Sequence, residues 1–98
     1  MLRAYVRIIE VAMPKVVIYT KEYCPFCRYA KALLRSKSVA FEEIDVTEDA
    51  ELHEKIFRLS GRRTVPQIFI DDKPVGGFDE IRELDARGEL DPLLGINP

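Results

Sequence analysis

The 98-residue chain lacks the features that mark several classes of protein. It has no tryptophan, one histidine and two cysteines, and its 15 basic and 17 acidic residues are interspersed to a net charge of −2. Secreted disulfide scaffolds spread more cysteines along the chain, and nucleic-acid-binding proteins usually carry a basic arm or patch. No stretch approaches the ~20 apolar residues of a membrane span. The sequence therefore argues against a disulfide scaffold, a nucleic-acid partner and a membrane protein.

Length and composition predict one small globular domain, residues 13–98. Residues 1–12 precede it as an extension of uncertain role: they add an edge strand, are loosely held, or reflect a start assigned too early. Glu10 interrupts their apolar run and no cleavage pattern follows, so no signal peptide is predicted. Both cysteines lie in one short motif, which favours a reducing compartment, and the cytoplasm is the expected location.

The hydropathy pattern predicts alternating strands and helices. Residues 15–20 are short, β-branched and nearly all apolar, which is typical of a buried strand. Further strands are predicted at residues 40–46, 67–70 and 74–76. Apolar side chains at helical spacing predict three helices. These apolar faces consist of Phe26, Ala30, Leu33 and Leu34 in the first helix, Leu52, Ile56 and Leu59 in the second, and Phe78, Ile81 and Leu84 in the third.

Residues with positional preferences mark the helix ends. Pro25 suits a first helical position because no N–H is needed there. Thr47 is predicted to cap the second helix, which ends before Gly61, and the third helix is predicted to end near Gly88. Three leucines are predicted to anchor the tail: Leu90, Leu93 and Leu94.

The order of elements is βαβ, then a helix, a β-hairpin and a last helix. The first two strands are expected to be parallel with a right-handed crossover, and the hairpin adds antiparallel strands. The predicted fold is therefore of the α/β class: a four-stranded mixed sheet, two parallel strands plus a hairpin, flanked by three α-helices on both faces.

Cys24 and Cys27 stand three residues apart where the first strand gives way to the first helix. The free N–H groups of a helix start favour a thiolate there. Side chains at i and i+3 share one side of a helix, so a disulfide between them needs only a small adjustment. We expect Cys24 to be the nucleophile, aided by the positive charge of Lys21, and Cys27 to be more buried and to act later.

Two other interpretations of the cysteine pair fit the sequence less well. A structural zinc site needs four ligands, and only His53 remains outside the pair to add to the two thiols. Two unrelated buried cysteines would not require a strand-to-helix junction. That junction is a known redox context for Cys-x-x-Cys, so a redox pair without a metal is predicted.

From Met13 to about Leu94 the chain resembles a glutaredoxin of the small bacterial dithiol type. Five segments carry the resemblance, and their order and spacing make it specific. They are residues 17–21 (VIYTK), 24–27 (CPFC), 64–70 (TVPQIFI), 76–80 (GGFDE) and 84–88 (LDARG). The resemblance implies a thioredoxin-like fold and glutathione as the reducing co-substrate, with no bound cofactor.

The resemblance also implies a glutathione groove. The Val65–Pro66 bond is expected to be cis, with Pro66 facing the cysteines and the backbone of Val65 pairing with the cysteinyl part of glutathione. Two glycines before the last helix allow close approach of a ligand, and the helix start can hold a carboxylate while Asp79 takes an ammonium group. The implied groove residues are Lys21, Phe26, Thr64, Val65, Pro66, Gly77, Phe78 and Asp79.

Several positions depart from the family pattern or leave alternatives open. Phe26 stands where relatives often have Tyr, and Glu80, a further candidate for the groove, stands where many have Asp. His53 either contacts the glycyl carboxylate of glutathione, more strongly below pH ~6.5 where imidazole is charged, or is an ordinary surface residue. Arg62 and Arg63 either steer the anionic glutathione or form a solvated pair.

The predicted function is that of a monomeric glutathione-dependent thiol–disulfide oxidoreductase. It reduces protein disulfides and protein–glutathione mixed disulfides, and serves as an electron carrier in cell redox homeostasis that depends indirectly on glutathione reductase. The first alternative is an iron–sulfur carrier in which two chains share a cluster through Cys24 and two glutathiones. Pro25 argues against it, because cluster binders of the family usually have Gly or Ser there. The second alternative, recycling by thioredoxin reductase, is disfavoured by the segment Gly76 to Asp79.

Overall fold

A four-stranded sheet and four helices make up residues 14–96, the part of the chain that the structure, a computed structural model, describes. The predicted extension, residues 1–12, lies outside these residues. The elements in chain order are β1 (Val16–Thr20), α1 (Pro25–Ser36), β2 (Glu42–Asp45), α2 (Ala50–Ser60), β3 (Gln67–Ile70), β4 (Lys73–Gly76), α3 (Phe78–Ala86) and α4 (Leu90–Leu93).

The sheet has the order β2-β1-β3-β4. Strands β1 and β2 are parallel, and β3 is antiparallel to both β1 and β4. The predicted fold class, a mixed sheet of two parallel strands plus a hairpin, is confirmed. The three predicted helices are present, and the tail adds α4 as a fourth helix of one turn.

The helices cover both faces of the sheet, because successive side chains of β1 point to opposite sides. Val16 and Ile18 pack in one apolar cluster with residues of α1, α3 and α4. Val17 packs in a second cluster with Ile56 of α2 and Phe69 of β3. The sheet therefore has α2 on one face and the other three helices on the opposite face.

The tail is held by apolar packing and by a charge. Leu90 and Leu94 are buried, as predicted, whereas Leu93 is 41% exposed. The Lys37 ammonium, at the end of α1, lies 2.5 Å from Asp85 and 2.9 Å from Asp91. Hydrogen bonds to these two carboxylates raise the pKa of Lys37 above its ordinary value. The Lys37 ammonium thus links the end of α1 to α3 through Asp85 and to α4 through Asp91.

Three local predictions are wrong. Asp49, rather than Thr47, caps α2: its carboxylate accepts the Leu52 N–H at 3.0 Å. The Thr47 hydroxyl instead accepts the Glu22 N–H at 2.9 Å, so it serves the loop after β1. Leu59 and Phe26, which the helical spacing placed on apolar faces, are 58% and 54% exposed. The apolar stripe of α2 meets the sheet through the residues before Leu59.

Candidate active site

The strand order brings three separate segments to one edge of the sheet. Because β1 and β3 are antiparallel, the end of β1 lies beside the start of β3, and Tyr19 pairs with Gln67. Because β3 and β4 are antiparallel, the end of β4 lies there too, and Ile68 pairs with Gly76. The segments that follow β1, precede β3 and follow β4 therefore meet, and each carries predicted site residues.

The cysteine pair lies in the segment after β1. Cys24 is the N-cap of α1, and its Sγ accepts the Cys27 N–H at 3.1 Å, while Pro25 occupies the first helical position. The two residues form a disulfide, with Cα atoms 5.2 Å apart. Cys24 is half-buried and Cys27 is 2% exposed. Cys27 is thus the more buried of the two cysteines, as predicted.

The segment before β3 faces this pair. The Val65–Pro66 peptide bond is cis, as the resemblance implied. Pro66 is buried, Val65 is half-buried, and the Val65 carbonyl oxygen lies 3.8 Å from Cys24 Sγ. The Val65 backbone therefore presents a hydrogen-bond acceptor next to Cys24 Sγ.

A groove of about 520 Å³ runs beside these segments. Most of the predicted groove residues line it, namely Phe26, Thr64, Val65, Pro66, Gly77, Phe78, Asp79 and Glu80. Lys21 and His53 do not line it. His53 Nε2 donates to the Arg63 carbonyl oxygen at 2.8 Å, so its ring supports the loop before β3.

Sequence reasoning missed the ion pair that forms one wall of the groove. The Arg62 guanidinium donates two hydrogen bonds to the Glu80 carboxylate, at 2.6 and 3.0 Å. Glu80 Oε1 also accepts the Gly77 N–H at 2.7 Å. These hydrogen bonds, above all those from Arg62, lower the pKa of Glu80 to about 2. Arg62 is therefore paired with Glu80, although its side chain remains 44% exposed.

Close contacts explain why residues 76 and 77 are glycines, which have no Cβ. A Cβ on Gly76, whose φ is +120°, would lie 2.6 Å from the Glu80 side chain, and a Cβ on Gly77 would lie 3.1 Å from the Pro66 carbonyl oxygen. Gly76 is thus required by packing within the chain itself, whereas at Gly77 the groove wall and the backbone before β3 approach each other closely.

The start of α3 keeps donors for an anion. The Gly77 N–H is bound to Glu80, but the N–H groups of Phe78 and Asp79, in the first turn, donate to no residue that the structure describes. The Asp79 side chain is 71% exposed, with Arg82 at 3.5 Å. A carboxylate can be held by these N–H groups and an ammonium by Asp79.

The second arginine before β3, Arg63, lines the groove but its guanidinium contacts residues of α2. Arg63 lies 3.8 Å from the centroid of the Phe57 ring and 3.2 Å from the Glu54 carboxylate.

Within residues 14–96 no group of three or more His, Cys, Asp or Glu side chains is placed to hold a metal ion. No helix in that range is long and apolar enough to cross a membrane.

A Cys-Pro-Phe-Cys pair at a helix start, opposite a cis-proline on a mixed sheet, defines a thiol–disulfide oxidoreductase of the thioredoxin-like fold. Comparison with known families is more specific, because the model of the Glutaredoxin family matches residues 16–75. The chain belongs to the glutaredoxin family, whose members are glutathione-dependent oxidoreductases.

Individual relatives agree with this assignment. Glutaredoxin 3 of Escherichia coli is 56% identical over 82 residues, which cover 84% of this chain and 99% of the relative. A solution structure of glutaredoxin from Brucella melitensis is 46% identical, with a TM-score of 0.78 and coverage of 86% of this chain and 91% of that one. A crystal structure of a buckwheat glutaredoxin–glutathione complex is 25% identical, with a TM-score of 0.78 and coverage of 97% and 94%.

Proposed function

We propose that Cys24 is the nucleophile and Cys27 the resolving thiol of a dithiol glutaredoxin that acts on protein disulfides and on protein–glutathione mixed disulfides. The observation that carries this proposal is the position of Cys24 Sγ, which caps α1 and lies 3.8 Å from the Val65 carbonyl beside the groove. A helix start favours the thiolate once the disulfide is reduced.

With a glutathionylated protein, the Cys24 thiolate attacks the glutathionyl sulfur. The mixed disulfide breaks, the protein thiolate leaves and takes up a proton, and the glutathionyl group stays on Cys24. The thiolate of a second glutathione then attacks that group, which releases glutathione disulfide and restores the Cys24 thiolate. The exchange needs no redox partner other than glutathione.

With a protein disulfide, Cys24 forms a mixed disulfide with one protein sulfur and the other leaves as a thiolate. Cys27 then attacks Cys24 Sγ, which frees the second protein thiolate and forms the Cys24–Cys27 disulfide found in the structure. Two glutathiones reduce this bond in turn and leave as glutathione disulfide. The short path of Cys27, one helical turn from Cys24, supports its role as the resolving thiol.

We further propose that the groove holds the glutathionyl group, with its cysteinyl backbone beside Val65 and its γ-glutamyl carboxylate at the N–H groups of Phe78 and Asp79. The Asp79 carboxylate, which is 71% exposed and has Arg82 at 3.5 Å, supports binding of the ammonium group there. Glu80 contributes indirectly, since its own carboxylate is bound to Arg62 and Gly77. Contacts from Lys21 and His53 stay predictions.

We propose a cytoplasmic location and a monomeric state. A reducing compartment such as the cytoplasm suits a protein that must be recharged by reduced glutathione. A monomer leaves Cys24 accessible to proteins of different shapes. The natural protein substrates are defined here only by chemistry, as disulfides or glutathionylated cysteines.

Two serine substitutions test the roles of the thiols. We expect Cys24→Ser to have no activity on either substrate, because the nucleophile is removed. We expect Cys27→Ser to keep reduction of protein–glutathione mixed disulfides and to lose reduction of intramolecular protein disulfides. Both variants are assayed with glutathione and glutathione reductase, by consumption of NADPH. Substantial activity in Cys24→Ser, or full activity of Cys27→Ser on an intramolecular disulfide, would contradict the proposal.

A further inference from the structure

The segment that leads from α2 to the cis-proline, residues 62–65, lines the groove without forming a helix or a strand. Among the residues that the structure describes, no main-chain group forms a hydrogen bond with the main chain of this segment. Side chains hold the segment instead. The position of its backbone, which includes the Val65 carbonyl beside Cys24 Sγ, therefore depends on a small number of side-chain contacts.

Two consecutive carbonyl groups of the segment accept hydrogen bonds from two different elements. Gln67, buried at the start of β3, donates its Nε2–H to the Arg62 carbonyl oxygen at 2.6 Å. His53, half-buried on α2, donates its Nε2–H to the Arg63 carbonyl oxygen at 2.8 Å. Because a carbonyl oxygen only accepts, this contact fixes the imidazole proton on Nε2. The backbone that leads to the cis-proline is thus tied to both β3 and α2.

The side chain of Arg63 also contacts α2, but less firmly than its main chain does. The guanidinium lies 3.2 Å from the Glu54 carboxylate, and the two side chains are 64% and 47% exposed. An exposed ion pair of this kind contributes little to stability. Glu54 acts only on the end of a long side chain, whereas His53 acts on the backbone itself. The hydrogen bond from His53 is therefore the contact through which α2 positions the segment.

Sequence alone leaves two roles open for His53, a contact with the glycyl carboxylate of glutathione or an ordinary place on the surface. The ring does not line the groove, and its Nε2 proton is engaged by the Arg63 carbonyl. We propose that His53 is a positioning residue, which holds the Arg63 carbonyl so that the Val65 backbone faces a glutathionyl group on Cys24. This proposal rests on the proposed function, because it concerns the groove for that group.

The expected effect of losing this hydrogen bond is a loss of affinity. Without it, the segment would also populate arrangements in which the Val65 backbone does not face Cys24. A ligand that binds only one arrangement is bound less tightly in proportion to the population of that arrangement. One ordinary hydrogen bond corresponds to a change of about three- to tenfold. The reactivity of the Cys24 sulfur itself should not change, because His53 contacts neither cysteine.

The test measures the equilibrium between Cys24 and small disulfides in the Cys27→Ser protein, which cannot resolve the product. The Cys24 thiolate attacks one sulfur of glutathione disulfide, a Cys24–glutathione disulfide forms, and the other glutathione leaves as a thiolate that takes up a proton. Mass spectrometry at fixed ratios of thiol to disulfide gives the equilibrium constant. The measurement is repeated with the glycyl ethyl ester of glutathione, and with 2-mercaptoethanol disulfide, which has no peptide group to pair with Val65.

Three substitutions are compared in this protein. His53→Leu removes the donor, His53→Gln supplies an amide Nε2–H in its place, and Lys55→Leu is the control. Lys55 is also on α2, is exposed, and forms no ion pair with any residue between 14 and 96. We expect His53→Leu to lower the equilibrium constant about three- to tenfold for glutathione and equally for its ester. The constant for 2-mercaptoethanol should not change. His53→Gln should stay within about twofold of the protein with His53, and Lys55→Leu should match it.

The outcomes separate this proposal from the proposed function. A loss in His53→Leu that appears with glutathione but not with its ester would make His53 a ligand of the glycyl carboxylate and overturn the positioning role. No loss in His53→Leu, no recovery in His53→Gln, or an equal loss with 2-mercaptoethanol would overturn it as well. If the Cys27→Ser protein with His53 forms no more adduct with glutathione than with 2-mercaptoethanol, the proposed groove itself is refuted.

Discussion

The ion pair between Arg62 and Glu80 allows a sharp prediction about stability. Glu80→Gln keeps the size of the side chain and an oxygen that can accept the Gly77 N–H, but it removes the negative charge opposite Arg62. Since the pair joins the loop before β3 to the first turn of α3, its loss should weaken the packing that shapes the groove wall.

The magnitude follows from the pKa of Glu80. A fall of its pKa from the ordinary value of 4.5 to about 2 corresponds to roughly 3.4 kcal/mol if converted in full. Arg62 and Glu80 side chains are 44% and 38% exposed, so solvent screens much of this interaction. We therefore expect Glu80→Gln to lower the free energy of unfolding at pH 7 by about 1–1.5 kcal/mol. That loss corresponds to a fall in Tm of roughly 4–12 °C for a domain of this size.

The pH dependence has a definite sign. A carboxyl group whose pKa is lower in the folded than in the unfolded state stabilises the fold above its ordinary pKa, and this stabilisation is lost as pH falls toward the folded pKa. The stability difference between the unmodified protein and Glu80→Gln should thus be complete at pH 7, decrease below pH 4.5, and nearly vanish at about pH 2.

Urea unfolding followed by circular dichroism at pH 7, 5, 3.5 and 2 measures this difference. Glu83→Gln is the matched control: Glu83 also lies on α3 and pairs with Arg87 at 3.0 Å, but the two side chains are 68% and 52% exposed. It should cost no more than about 0.5 kcal/mol. Equal effects of the two variants at pH 7, or a Glu80→Gln effect that is the same at pH 7 and pH 2, would refute the reasoning.

Two further predictions concern packing and are checked by urea unfolding at pH 7. Gly76→Ala should destabilise the protein by about 2–4 kcal/mol, because the new Cβ would lie 2.6 Å from the Glu80 side chain at a φ of +120°. Gly88→Ala, at a φ of +73° with no atom within 4 Å, should cost only about 1 kcal/mol, and equal costs would contradict the argument. Leu90→Ala should cost about 2–5 kcal/mol and Leu93→Ala less than about 0.5 kcal/mol, because Leu90 is fully buried and Leu93 is 41% exposed. A smaller cost for Leu90→Ala than for Leu93→Ala would mean that α4 does not belong to the core.

The order of elements was predictable because it depends on local periodicity. A β-branched run forms β1, and apolar residues at helical spacing form α1. Each pattern indicates which face of its own segment packs in the core, and it does not depend on distant residues. The site could be located for a related reason. Cys24 lies between β1 and α1, directly before the helix, so it marks both the helix start and the edge of the sheet where the other segments meet.

The contacts between distant segments were not predictable from such patterns. Arg62 and Glu80 are 18 residues apart, and nothing in the residues beside either one indicates that their side chains meet. The prediction that Thr47 caps α2, where Asp49 does so, failed for the same reason. Both are good caps, and the contact that engages Thr47 comes from Glu22, which lies 25 residues away in the chain.

Two apolar residues that the helical spacing placed in the core are exposed, and comparing them shows when such a failure points to function. Leu59 is 58% exposed and Phe26 is 54% exposed. Leu59 does not line the groove beside the cysteines. Phe26 adjoins the reactive cysteines, lines the groove and stacks with two other rings. An exposed apolar side chain alone is common in folded proteins. The exposure of Phe26 gains meaning because these features of the site converge on it, and this convergence is the reason for counting Phe26, and not Leu59, among the residues of the proposed glutathione groove.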